Sequence, residues 1–111
     1  MDTFLDLPES VASEDAVIAR YRLSDDEYGS PAERAVFFEA ERAMSAAVEE
    51  AGVGEVDGNE FGGGEVVLYA YGVDGEALFK VMEPALRALP LRPAHVVVRQ
   101  ARGDVEVRVD L

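Results

Sequence analysis

Oxygen-bearing side chains are concentrated near a run of glycines between residues 52 and 72. The side chains there that are suited to binding a cation are Asp57, Asn59, Glu60 and Glu65. Carboxylate and amide oxygens at short spacing are the usual ligands of Ca²⁺, and Asp57 and Asn59 match the first and third positions of a calcium loop. Phe61 occupies the fifth position, however, and Leu68 stands where the bidentate glutamate belongs. The calcium pattern fails, and we predict no metal ion and no cofactor.

The glycine run has two further interpretations. A phosphate cradle needs glycines that lead into a helix, whereas Gly62-Gly63-Gly64 leads into a predicted strand and no Lys follows. A hairpin turn is favoured, because Asp-Gly and Gly-Gly supply backbone positions with positive φ. A weak hard-ion site, formed by Asp57, Glu60 and Glu65, and a small enzyme that uses this loop remain alternatives.

Other catalytic chemistry has few residues to draw on. His95 is the only histidine, and the chain has no cysteine. A histidine metal cluster and a thiolate nucleophile are therefore excluded, and no nucleophile elbow can be assembled. We predict no catalytic residues and a protein that is not an enzyme.

The charge of the chain limits its partners. It carries 23 acidic and 10 basic residues among 111, a formal net charge of -13. Non-specific nucleic-acid binding needs Lys and Arg to replace condensed counterions, so we do not expect it. No apolar stretch approaches the roughly 20 residues of a membrane span. We expect a cytoplasmic protein that does not bind membranes.

One long pattern predicts a helix over residues 31–51. Ser30 can cap it, Pro31 suits its first position, and Glu33 completes a capping box. Apolar residues then recur at helical spacing until Gly52, which stops the helix.

The remaining elements are predicted from the alternation of apolar and polar residues and from residues that typically end or begin an element. A second helix begins after Asp74 and should kink at Pro84. The predicted strands are Ala16–Leu23, a short edge strand Val53–Asp57, Glu65–Tyr71, Ala94–Ala101 and Val105–Leu111, with a loop at Gly58–Gly64 and a turn at Arg102–Asp104.

This order predicts an α+β, ferredoxin-like split βαβ sandwich with an extra C-terminal hairpin strand. Both helices would cover one sheet face. We expect a single domain over residues 14–111, preceded by an N-terminal extension over residues 1–13.

The sequence Asp-Gly-Asn-Glu-Phe-Gly-Gly-Gly-Glu at residues 57–65, followed by Leu-Tyr-Ala-Tyr-Gly at residues 68–72, resembles a pattern in small uncharacterised bacterial proteins, mainly from actinobacteria. The resemblance covers roughly residues 52–100 and implies no catalytic residues.

The sheet face opposite the helices is the predicted binding surface. Ile18, Val67 and Val97 would be open. The residues predicted in the core are Val17, Ala19 and Tyr21 of the first strand and Val96, Val98, Val105, Val107 and Val109 of the last two strands. The polar and aromatic residues predicted on the open face are Arg20, Arg22, Tyr69, Tyr71, His95, Arg99 and Arg108. Tyr and Arg often anchor interfaces. The opposite assignment, with the tyrosines in the core, is the alternative.

We therefore expect a binding domain whose open face serves self-association as a homodimer, an unidentified protein partner or a small anionic ligand. A bare apolar patch would need a cover, and Phe4, Leu5 and Leu7 are the intramolecular candidates. An acidic antagonist of a basic protein, of the immunity type, is a second hypothesis. The alternative without a binding role is that the strand arginines pair with neighbouring acids such as Glu106 and Asp110 and only keep the sheet soluble.

Overall fold

A computed structural model describes residues 14–102 and 105–111 of the chain. In chain order its elements are β1 (Asp15–Arg22), α1 (Pro31–Ala51), β2 (Glu55–Gly62), β3 (Glu65–Gly72), α2 (Gly75–Ala88), β4 (Ala94–Arg99) and β5 (Glu106–Asp110). The predicted cover of Phe4, Leu5 and Leu7 lies outside the described residues, as do Gly103 and Asp104 of the predicted last turn.

The strands form one antiparallel sheet in the order β2-β3-β1-β4-β5. The first four strands, with their two helices, have the split βαβ arrangement, and β5 extends the sheet beside β4. The predicted ferredoxin-like α+β fold is confirmed.

Helix α1 has the predicted start and end. The Ser30 side chain accepts a hydrogen bond from the Glu33 backbone N–H at 3.1 Å, and Glu33 Oε1 accepts from the Ser30 N–H at 2.8 Å. This is a complete capping box. Gly52 adopts the left-handed conformation and ends the helix. Helix α2 is capped by Asp74 as expected, and it continues through Pro84 to Ala88.

The core lies between the helices and one face of the sheet. The largest fully buried side chains include Tyr21, Phe37, Met44, Leu68, Leu78, Met82 and Leu86. Val17, Ala19 and Tyr21 of β1 and Val66, Leu68 and Ala70 of β3 supply the sheet side of this core. The predicted orientation of β1 and β3 is therefore confirmed, because alternate residues on a strand point to opposite faces.

The second strand is longer than predicted. It runs to Gly62, so the expected loop over residues 58–64 reduces to the turn Gly63-Gly64, in which both residues have positive φ. Pairing with β3 and packing of Phe61 against Phe37 hold this segment in the sheet. The pairing register with β3 shifts between Val56 and Gly58, where β2 forms a bulge.

The last strand is less buried than predicted. Val105 and Val107 were expected in the core, but they are 45% and 51% exposed, and Val109 alone is partly buried against the core. No described helix lies against β5, which explains the exposure of its valines.

Candidate functional site

The seven predicted open-face residues all lie on the sheet face that the helices leave uncovered. In one row across the sheet, Tyr69 pairs with Ile18, Ile18 with Val97, and Val97 with Arg108. The adjacent rows place Arg20 beside His95 and Tyr71 beside Ala16. Arg99 is opposite Glu106, and Arg22 is opposite Glu65.

The centre of this face is a small apolar cluster. Ala16, Ile18 and Val67 are buried, and Tyr69 and Tyr71 pack against them. The prediction that Ile18 and Val67 are exposed is wrong, since only 9% and 6% of their surfaces are accessible. The half-buried tyrosine rings contribute to this second cluster, so the sheet has apolar packing on both faces.

Tyr69 is held at the β2 side of the cluster. Its hydroxyl donates a hydrogen bond to Glu60 Oε1 at 3.1 Å. This bond to a carboxylate, with some desolvation, raises the pKa of Tyr69 above its ordinary value. Glu60 therefore positions the tyrosine and lies on the open face.

Ion pairs surround the apolar cluster. Arg99 Nε lies 2.6 Å from Glu106 Oε2, and Arg108 Nε lies 3.1 Å from Asp110 Oδ1. Arg20 Nη1 is 3.4 Å from Glu65 Oε1. All these groups are exposed enough that each pair contributes little to folding.

Arginines are brought together at one end of the open face. There, the ends of β1, β4 and β5 surround a concavity of about 440 Å³. We call it the arginine pocket, and its charged and titratable lining residues are Arg20, Arg22, Arg92, His95, Arg108, Glu65 and Asp110. The lining holds four arginines and two carboxylates, and Arg22 is paired in addition with Asp26 Oδ1 at 2.9 Å, in a chain whose net charge is -13.

Arg92 and Asp110 were not predicted as site residues. Arg92 follows α2, and its guanidinium donates to the carbonyl oxygens of Leu89 and Leu91 at 2.7 Å each and of Arg87 at 3.1 Å. It therefore fixes the segment that leads into β4. The signal available in the sequence was its position just before that strand, at the same end of the sheet as Arg20.

His95 is partly buried in this pocket. Its pKa is lowered, chiefly because burial disfavours the charged imidazolium, and further because Arg108 and Arg20 oppose another positive charge. The carboxylates of Asp110 and Glu65 act in the opposite direction with smaller effect. The lowered pKa favours the uncharged ring at neutral pH, so the positive charge of the pocket comes from the arginines.

Of the four candidate residues of the glycine-rich segment, Asp57, Asn59 and Glu60 line one shallow concavity beside Tyr69 and Tyr71, and Glu65 lies outside it. The Asn59 amide donates to Glu41 on α1 at 2.6 Å, on the helix side, whereas Glu60 bonds Tyr69 on the open face. Glu65 instead pairs with Arg20 in the arginine pocket. Among the described residues, no group of three or more His, Cys, Asp or Glu is placed to hold a metal ion.

Neither helix described here combines the length and the apolar character needed to cross a membrane. No protein-family model matches the chain, and no curated protein matches it.

A solved structure shares the fold. The structure of Rv0793 from Mycobacterium tuberculosis aligns with a TM-score of 0.53 and 21% sequence identity, over 78% of this chain and 92% of that one. At 21% sequence identity this similarity shows the fold alone.

Proposed function

We propose that the protein is a non-catalytic binding domain that holds a small anionic ligand in the arginine pocket. The observation that carries the proposal is the local charge. Four of the ten basic residues line one concavity of about 440 Å³, in a chain with 23 acidic residues. Clustering against so strong an overall charge supports a role for the arginines beyond solubility.

The arginines retain hydrogen-bonding capacity for a ligand. Arg20, Arg22 and Arg108 each direct one nitrogen to a carboxylate, at 3.4, 2.9 and 3.1 Å respectively. A guanidinium has five N–H donors, so such bonds leave several donors on each side chain. Planar guanidinium groups recognise carboxylate and phosphate in a bidentate manner. The ligand class is therefore a small molecule that carries carboxylate or phosphate groups.

The single histidine provides a direct test. Inorganic phosphate and citrate are titrated separately into isotope-labelled protein at constant ionic strength, and the His95 ring signals are followed by NMR across pH. An anion in the pocket adds negative charge near His95, so we expect its depressed pKa to rise as the site saturates. The unique ring signal makes the assignment unambiguous.

Two variants separate specific binding from general screening. Arg20→Gln removes a pocket cation and should weaken saturation, whereas Arg99→Gln removes a cation from the same face outside the pocket and should leave it unchanged. If phosphate or citrate saturates the His95 shift at the same concentration in Arg20→Gln and in Arg99→Gln, the proposal is contradicted. So does a His95 pKa that responds to chloride as strongly as to phosphate and citrate.

A second candidate function, self-association through the centre of the open face, is supported by its apolar cluster. Tyr69, Tyr71 and Val97 remain half-accessible around buried Ile18 and Val67. An apolar centre with a charged rim, rich in Tyr and Arg, is typical of protein interfaces.

Light scattering tests this second candidate in four chains. If the open face is the interface, the full-length chain is a dimer that Tyr69→Glu converts to monomer, whereas Tyr28→Glu, at an exposed tyrosine away from the strands, leaves it dimeric. A full-length monomer that associates only when the chain starts at Ser13 identifies the N-terminal extension as the cover. Monomers in all four chains reject self-association through this face.

A further inference from the structure

The outer edge of β5 has the features of a strand that pairs with another strand. Within residues 14–102 and 105–111, β4 is the only element beside it. Its register with β4 is regular from His95↔Asp110 to Arg99↔Glu106. An unprotected, regular edge is a template for further pairing.

The backbone groups that face this edge can be identified. The Leu111 N–H donates to the Ala94 carbonyl at 3.0 Å, and the Val105 carbonyl accepts from the Gln100 N–H at 2.8 Å. Odd-numbered residues therefore direct their backbone groups toward β4. In an antiparallel ladder the alternate residues point the other way, so Glu106 and Arg108 present N–H and C=O groups to the open edge.

The side chains of β5 divide in the same alternating manner. Val105 and Val107 lie on the helix side of the sheet, yet they are 45% and 51% exposed because no described helix covers them. Glu106 and Arg108 lie on the open face with opposite charges. The strand thus exposes an apolar row on one side and a charge pair on the other.

We propose that β5 pairs antiparallel with β5 of a second copy of this chain, about a two-fold axis at Val107, to form a continuous ten-stranded sheet. Glu106 of each copy then lies opposite Arg108 of the other in a backbone-hydrogen-bonded pair. Val107 lies opposite its own equivalent, and Val105 lies opposite Val109. The interface covers the exposed valines and places opposite charges directly across the strands, both of which stabilise antiparallel pairing.

Other two-fold registers fit the strand less well. An axis at Arg108 would place like charges opposite each other, Arg108 against Arg108 and Glu106 against Asp110. An axis at Val109 would also pair opposite charges, Arg108 against Asp110, but it would leave the exposed Val105 outside the paired region. The register at Val107 is favoured because it covers both Val105 and Val107 and places Glu106 opposite Arg108.

The other edge of the sheet is unsuited to self-pairing. Strand β2 carries Glu55, Asp57 and Glu60, has no basic residue, and is interrupted by the bulge near Gly58. Like charges and bulges are common means of protecting an edge strand. Strand β5 is also charged, but its charges alternate in sign along the strand, so one edge of this sheet is blocked and the other is complementary to itself.

Charge reversal tests the proposal in the full-length chain by sedimentation velocity over a concentration series at fixed ionic strength. Glu106→Arg sets Arg against Arg at two symmetric positions, and Arg108→Glu sets Glu against Glu. We expect each variant to weaken the dimer roughly tenfold or more. Glu106→Arg combined with Arg108→Glu should restore it. Glu55→Arg makes the same charge change on β2 and should leave the dimer unchanged.

A mixture of the two single variants, Glu106→Arg and Arg108→Glu, gives the most specific test of the proposed pairing. Positions 106 and 108 are then both basic in one chain and both acidic in the other, so native mass spectrometry should find the heterodimer and little of either homodimer. A wild-type chain that stays monomeric overturns the proposal. So does a dimer that survives Glu106→Arg, including one that only Tyr69→Glu disrupts, or single variants that fail to pair with each other.

Discussion

The two faces of the sheet are both packed, but they are stabilised by different means. On the helix-covered face, Val66 and Leu68 are fully buried, and the Tyr21 hydroxyl donates to the Leu86 carbonyl at 2.7 Å. On the open face, Val67 is nearly as buried, but its neighbours are half-accessible tyrosines and exposed ion pairs. The first face has a three-dimensional core, and the second a single layer of side chains.

This difference separates the requirements for folding from those for binding. Side chains between helix and sheet are fixed from all sides, so replacing them leaves cavities that the structure fills only partly. Side chains of the open layer can shift toward solvent or toward a ligand at lower cost. We therefore expect large stability effects on one face, and small stability effects with large binding effects on the other.

The largest effect is expected from truncation of the helix-covered core. Phe37→Ala or Leu68→Ala removes a fully buried side chain and should lower the free energy of unfolding by about 2–5 kcal/mol. Chemical denaturation followed by circular dichroism measures the change. Unfolding midpoints that stay unchanged in both variants would show that the core is assigned to the wrong face.

The stability cost of packing on the two faces can be compared by substituting two adjacent valines with alanine. Val66→Ala, on the helix side, should cost about 2 kcal/mol, from lost burial plus a residual cavity. Val67→Ala, on the open face, should cost less, because Tyr69 and Tyr71 can collapse onto the site. Denaturation midpoints of the two variants measure the difference. An equal or larger loss of stability in Val67→Ala would mean that the open face is as rigidly packed as the core.

Two tyrosine hydroxyls provide a smaller comparison. Tyr21→Phe leaves a buried carbonyl at Leu86 without its donor and should destabilise the fold by about 1–2 kcal/mol. Tyr69→Phe removes an exposed bond to Glu60 and should change stability little. A cost at Tyr69 that matches the cost at Tyr21 would indicate that the open-face hydroxyl is shielded from water.

The sequence predicted those elements whose signals are local. Helix α1 was placed at both ends because its capping box and Gly52 act within a few residues. Strand β2 was predicted too short, since its segment beyond Asp57 is rich in glycine and acids, which are typical of loops. Pairing with β3 and the contact of Phe61 with Phe37 hold it as a strand, and both depend on distant residues.

The candidate site divides in the same way. Strand alternation was sufficient to place Arg20, His95 and Arg108 on one face. The burial of Ile18 and the exposure of Val107 were mispredicted, because they depend on how neighbouring side chains and helices cover the sheet. Alternation predicts which face a residue is on, but not how much of it is covered.

The pH dependence of stability should carry a modest contribution from His95. Its pKa is lowered in the folded state, first by burial and then by Arg108 and Arg20. The unfolded chain therefore binds the proton more tightly, and stability decreases as pH falls through about 6.5. His95→Gln should flatten this part of the profile relative to the wild type. Parallel profiles would show that folding does not shift the pKa of His95.

The smallest stability effect is expected for the ion pair between Arg99 and Glu106 on the open face. The two side chains lie 2.6 Å apart, but both are about half exposed. Exposed pairs contribute ~0–1 kcal/mol, and salt screens them. A double-mutant cycle of Arg99→Gln and Glu106→Gln, at low and at moderate salt, measures the coupling.

A small coupling that decreases with salt would place this pair in the open layer, where side chains are free to exchange partners. Glu106 can then change its partner from Arg99 to Arg108 of a second copy without loss of folding. A coupling well above 1 kcal/mol would instead make the pair part of the fold, and effects of Glu106 variants on association would have to be corrected for their effects on stability. The cycle therefore determines whether the edge of β5 can be altered independently of the core.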